Sequence, residues 1–190
     1  MKFILLLTVV GLAACQFPPR RPGFGGQPKR TSSKSFSQSR PGTQSLGAKA
    51  DDTRGGSEYY FSWRHDPPKT EYTGDAAHRM CTSLGGGWQP VAISSRDELN
   101  YIHGIIVRER LDYIWTGGVR AGSGFRWFNG EPFGITAWSN TGGLRRPQPD
   151  NRESGKENCL AILNNFYKDG VAWHDVACHH EKPVICERSV

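Results

Sequence analysis

The chain has 190 residues, with 24 Lys/Arg against 18 Asp/Glu and a sequence pI near 9.2. That length fits one domain with a tail. The excess charge sits in residues 16–57, which carry eight Lys/Arg and two Asp/Glu, whereas 58–190 carry fifteen and sixteen. The high pI therefore gives no reason to expect a nucleic-acid partner.

Residues 1–15, "MKFILLLTVVGLAAC", start with a positive Lys2, run apolar from Phe3 to Leu12 and end on small residues. This pattern predicts a secretory signal peptide, too short to span a bilayer, and hence a secreted protein. "LAAC" also fits a bacterial lipoprotein signal with Cys15 lipidated. No second apolar stretch reaches membrane-spanning length, so no transmembrane segment is expected. Residues 16–57 are rich in Pro, Gly, Ser and Arg, and bury too little to offset the entropy of ordering. They read as a disordered basic arm, either a passive linker or an attachment to an anionic surface.

From Glu58 the texture changes. "YYFSW" is strand-like. Ala76, Ala77, Met80, Cys81 and Leu84 recur at helical spacing, with Gly85 as the stop. In "SSRDELNYIHGIIVRER", Ser95 and Glu98 predict a capping box, and Leu99, Ile102 and Ile106 an apolar face. His103 beside that face reads as a rim or core histidine. "DYIWTGGV" predicts a buried strand. Residues 120–158 show no sustained period, but Trp127, Phe128, Phe133 and Trp138 argue that this long loop is ordered. Short strands around a "KDG" turn close the chain. The sum is an α+β domain over 58–190, large enough for one core.

Cys81, Cys159, Cys178 and Cys186 remain after the signal. An even count in a secreted chain predicts two disulfides, and four cysteines allow three pairings. The loop "PQPDNRESGKENC" (147–159) is dense in oxygen donors: Gln148, Asp150, Asn151, Glu157 and Asn158, with Asp175 further on. Such a set suits a hard cation, calcium above all. Pro149 makes a cis bond inexpensive, and a cis turn would send the side chains on either side of it the same way. A solvated polar loop would have the same composition.

Several short segments, in order, carry a resemblance. They are Cys81 with "LGGGW", then "SSRDE", "IWTGG", "FRWFNGEPF", "AWSN", "QPDN", "ENC", "WHD", "AC" and "ICE". Together they resemble the C-type lectin-like domain over residues 58–190. The resemblance implies two helices on small antiparallel sheets, a long irregular calcium-binding loop, and nested disulfides Cys81–Cys186 and Cys159–Cys178. In the chain-entropy model these contribute about 4–5 and about 3 kcal/mol. It also implies that Gln148, Asp150, Glu157 and Asp175 hold calcium, and that a sugar's vicinal hydroxyls complete the ion's shell and bond the same side chains. "QPD" resembles the galactose-type motif.

The chain departs from the family pattern in three ways. His174 stands where the family has asparagine, and its nitrogen is a poor calcium donor. Its protonation near pH 6 would oppose binding if it lay beside the ion. No aromatic follows the motif, so Trp138, Phe166 or Trp173 would have to stack on the sugar. Arg145 and Arg146 precede it and could read an anionic glycan.

A zinc set of His174, His179 and His180 is disfavoured if 179 and 180 lie on a strand, where they would face opposite ways. No nucleophile–base signature such as G-x-S-x-G or H-E-x-x-H occurs, and no enzyme is expected. The expected function is calcium-dependent recognition of glycans, galactose-containing or anionic, on microbial or cell surfaces in innate defence. The alternative is a calcium-independent domain with a protein or matrix partner.

Overall fold

The computed structural model describes residues 47–154 and 156–190. The predicted signal peptide and most of the predicted arm lie outside these. Two four-stranded antiparallel sheets and two main helices build the domain, the α+β arrangement that the resemblance implies.

The first sheet joins the two ends of the domain. β1 (Asp52–Arg54) pairs with β2 (Ser57–Phe61), β2 with the last strand β8 (Ile185–Ser189), and β8 with the two-residue β3 (Gln89–Pro90). Ordered structure therefore begins before the predicted boundary at Glu58. The strand β1 is fully exposed and polar, so no apolar alternation announces it. A tight turn makes the pairing possible, with Gly55 at φ 62° and Gly56 at φ 87°, as a two-residue hairpin of this hand requires. The preceding residues are tied down as well. Ala48 donates its N–H to Leu84 at 3.1 Å, and Asp51 accepts the Phe61 N–H at 2.7 Å. The strand prediction for "YYFSW" holds to Phe61; Ser62–His65 form a single helical turn, α1.

Helix α2 (Gly74–Ser83) is capped by the Thr73 side chain, which accepts from the Ala76 N–H at 3.3 Å. In α3 (Arg96–Arg108) Ser95 accepts from the Glu98 N–H at 3.2 Å. Only this half of the predicted capping box forms: Glu98 instead accepts from the Ser94 N–H and the Tyr59 hydroxyl, at 3.0 and 2.8 Å. Leu99, Ile102, Ile105 and Ile106 bury the face of α3 that the spacing predicted. Each such side chain contributes about 1.5–3 kcal/mol of burial. His103 sits at the core's edge, and burial lowers its pKa to about 4.

The second sheet has the order β5 (Gly124–Trp127), β4 (Tyr113–Ala121), β6 (Cys159–Asn164), β7 (Val171–Val176). The strand β5 lies inside the stretch read as aperiodic, so the irregular loop starts at 128. A Cβ on Gly117 would stand 2.6 Å from the Pro90 carbonyl oxygen, so "WTGG" lets the two sheets approach. Aromatics of β5 and of the loop converge on buried Trp173: Trp127 from the strand and Phe133 and Trp138 from the loop lie edge-on to it at centroid distances of 5.5, 5.8 and 5.9 Å. This apolar anchorage replaces the missing secondary structure. Disulfides Cys81–Cys186 and Cys159–Cys178 form the nested pairing implied by the resemblance.

Candidate functional site

The loop and the second sheet meet at a cavity of about 260 Å³. Gln148, Asp150, Glu157, His174 and Asp175 line it, with Phe166 and Tyr167 on one side. The four residues of the calcium set implied by the resemblance are therefore brought together across 27 positions, whereas the other two oxygen donors of the loop, Asn151 and Asn158, do not line the cavity.

Backbone hydrogen bonds fix the loop against β7. The Asp175 carboxylate accepts the N–H groups of Asp150 and Asn151, at 3.0 and 2.8 Å. Glu157 accepts from the Arg152 N–H at 2.5 Å, and Asn151 Oδ1 accepts from the Glu157 N–H at 3.0 Å. The Gln148–Pro149 bond is cis, and Gln148 is held by its N–H on Ser139 O at 2.8 Å and its Nε2 on Thr141 O at 3.3 Å.

Asp150, Glu157 and Asp175 each present a carboxylate oxygen within 4.8 Å of the others, and the last two are almost wholly buried. Burial, then Asp175 and Asp150, push the Glu157 carboxyl above the usual carboxylate range. Asp150 Oδ2 is buried without a hydrogen-bond partner. Three acids and one arginine meet here. Arg120 Nη2 lies 2.6 Å from Asp175 Oδ2, and its Nε and Nη2 donate to the Glu157 carbonyl at 3.0 and 2.8 Å. Three carboxylates against one guanidinium leave an excess of two negative charges, which Arg152, Lys182, Glu153 and Glu181, also lining the cavity, do not change because they balance one another. An orphaned oxygen and uncompensated charge are what a divalent, oxygen-loving cation would relieve. The residues present fit calcium.

His174 lines the same cavity but directs Nε2 to Asp169 Oδ2, at 2.9 Å. Ser139 Oγ donates to that same oxygen at 2.5 Å. Burial lowers the His174 pKa against the opposing pull of Asp169. Its protonation thus moves to more acid pH than that of an ordinary histidine. The zinc set does not assemble around it. His179 and His180 also lie in the turn after β7 rather than on a strand, with their rings stacked 4.5 Å apart.

Of the candidate stacking aromatics, Trp173 is fully buried and Trp138 packs against it, whereas Phe166 is 55% exposed and lines the cavity. Arg145 and Arg146 are exposed and do not line it; Arg152 does. Two residues escaped the sequence reading. Arg120 sits at the end of a strand with nothing to mark its partner. Asp169 belongs to the "KDG" turn, where an aspartate is explained by turn chemistry alone.

The family model of the lectin C-type domain matches residues 70–188. Among solved structures, the chain is similar to SPL-1 in complex with GlcNAc at 27% identity and a TM-score of 0.54, covering 70% of this chain and 88% of that one. The carbohydrate-recognition domain of the mouse scavenger receptor C-type lectin is 23% identical, with a TM-score of 0.55 and coverage of 73% and 94%. A calcium-independent type II antifreeze protein is 21% identical, with a TM-score of 0.56 and coverage of 73% and 90%. No curated protein sequence matches significantly. Among the described residues no helix is long and apolar enough to cross a membrane. The chain belongs to the C-type lectin domain family.

Proposed function

We propose that this chain is a secreted lectin that binds galactose-containing glycans through a calcium ion held by Gln148, Asp150, Glu157 and Asp175. The observation that carries this reading is the convergence of three carboxylates around a cavity, one of them with an unpartnered buried oxygen. When bound, the ion supplies a Lewis-acidic centre for two vicinal hydroxyls. The chain's own atoms then set the orientation. The "QPD" order of amide and acid fixes which side of the cavity donates hydrogen bonds and which accepts them. Phe166, exposed at the cavity's edge, offers its ring to the apolar face of the sugar, the task left open by the lack of an aromatic after the motif. The basic residues of the 16–57 segment would add attraction to anionic microbial or cell surfaces, consistent with a role in innate defence.

A second reading has one specific observation in its favour. Arg120 already places a positive charge on Asp175, which partly performs a cation's task. The antifreeze neighbour, described as calcium-independent, has the same fold. Under this reading the cavity binds a protein or matrix partner without metal. Retention of the full chain on galactose and mannose resins separates the two. The lectin reading expects retention on galactose, release by a chelator, and restoration by calcium. Binding that survives the chelator would support the metal-free reading instead.

A further inference from the structure

A second group of metal-ligating side chains stands beside the carboxylate cluster: Glu153 and His180 line the same cavity and His179 does not, and none of the three belongs to the calcium set proposed above. Glu153, His179 and His180 each present a ligand atom, all within 4.8 Å of one another. His180 Nε2 lies 2.9 Å from Glu153 Oε2, and His179 Nε2 lies 3.6 Å from Glu153 Oε1. Two imidazoles thus share the two oxygens of one carboxylate. Ligand atoms on a tetrahedral zinc ion, with bonds near 2.0–2.1 Å, stand about 3.3 Å apart. The observed separations straddle that value.

The backbone explains how neighbouring histidines can act together. The strand β7 ends at Val176, and residues 177–180 turn, with the His180 N–H on the Ala177 carbonyl at 3.1 Å. In this turn successive side chains no longer alternate, and the two rings stack with an interplanar angle of 29°. The turn has a firm base. Cys178 is bonded to Cys159, and its carbonyl accepts the Gly74 N–H at 2.8 Å. Glu153 comes from the loop that also carries Asp150 and Glu157. Its Oε2 lies 2.9 Å from His180 Nε2, a contact that an ion held by both would replace.

We infer that Glu153, His179 and His180 form a binding site for a borderline transition-metal ion, of the zinc or copper(II) class, at the outer edge of the loop. Two nitrogen donors make it unlike the oxygen-only site and unsuited to calcium. The three ligands leave a fourth position for water. A bound ion would tie the 150–157 loop to the disulfide-anchored turn.

The test is a zinc titration of the untagged full chain, stripped of metal and then saturated with calcium so that the carboxylate site is not open to zinc. Wild type should take up one zinc ion per chain and show a raised melting temperature. His179→Ala should bind zinc about 10–100-fold more weakly and lose the melting shift, while its calcium response stays as in wild type. Copper(II) in the same protein should show electron-spin coupling to two imidazole nitrogens, reduced to one by His179→Ala. Absence of saturable zinc uptake overturns the site. Equal uptake by wild type and His179→Ala also overturns it, by placing the ion elsewhere. Because calcium binding is followed separately in both proteins, failure of the lectin reading is distinguishable from failure of this one.

Discussion

Two groups of acids sit beside different sheets of the domain, and they are built differently. Beside the first sheet, Glu187 gives one oxygen to the Ser57 hydroxyl at 2.6 Å and the other to the Ala92 N–H at 3.1 Å. Its neighbour Glu98 likewise spends both oxygens, on Tyr59 and Ser94. At the second sheet, Asp150, Glu157 and Asp175 crowd together and leave Asp150 Oδ2 without a donor. Both groups are desolvated, and in both a carboxyl is pushed upward. Burial of an acid therefore does not mark a metal site; acids that converge on a space while keeping unspent lone pairs do.

Each group lies next to a disulfide, and removing these bridges should give the largest effects. Replacing Cys81 and Cys186 with serine opens a loop with a sequence separation of 105 and should cost about 4–5 kcal/mol. That is comparable with the stability of a whole domain, so chemical denaturation should find the variant largely unfolded. The pair Cys159 and Cys178, with a separation of 19, should cost about 3 kcal/mol.

The contrast between the acids is sharpened by neutralising one in each group. Glu157→Gln should weaken calcium binding roughly 10–100-fold, because it lowers the charge of the ligand set. The same change should raise the melting temperature of the calcium-free protein, since an acid whose folded pKa lies above its unfolded value is destabilised when ionised. If the calcium-free variant were instead less stable, the destabilising effect of burial and of the neighbouring acids assigned to Glu157 would be contradicted.

Glu187→Gln should leave calcium affinity unchanged. Its signature is in pH. Burial, then Glu98, raise the Glu187 carboxyl from 4.5 to about 7. Between these values the folded chain holds a proton that the unfolded chain has released, so this group's contribution is greatest below about pH 4.5 and is lost as pH rises to about 7. Denaturation curves of variant and wild type should diverge across that window, in the variant's favour, on the order of 1–3 kcal/mol. Parallel curves would contradict the assignment. The smallest effect expected is at Phe166. Its replacement by alanine should cost about 0.5–1.5 kcal/mol of sugar affinity and leave calcium binding alone, which a glycan-binding assay at saturating calcium can read.

Local patterns carried much of the fold. Spacing placed α2 and the apolar face of α3, and the ordered string of motifs implied the nested disulfides. What escaped depends on contacts distant in sequence or on the backbone's local hand. The strand β1 is polar on both faces and exists because a Gly55–Gly56 turn folds it onto β2. The four oxygen donors were legible by composition and resemblance, but the guanidinium among them was not. Arg120 reaches Asp175 across 55 positions. His174, whose protonation would matter only if it lay beside an ion, does line the acids' cavity; burial lowers its pKa, and Asp169, which the sequence offers only as a turn residue, opposes this and holds the ring. The histidine pair at 179–180 was misplaced for a related reason: β7 ends at Val176, and the pair lies in the turn after it, where successive side chains do not alternate.

The account turns on the excess negative charge at Asp150, Glu157 and Asp175, and a calorimetric calcium titration of the metal-stripped full chain at neutral pH tests it most directly. The prediction is saturable uptake of one ion at this site, abolished or severely weakened by Glu157→Gln. An absence of heat and of any melting shift at calcium concentrations on the order of millimolar, the weak end of protein calcium sites, would contradict it. The cavity would then belong to a metal-free scaffold in which Arg120 is the resident cation.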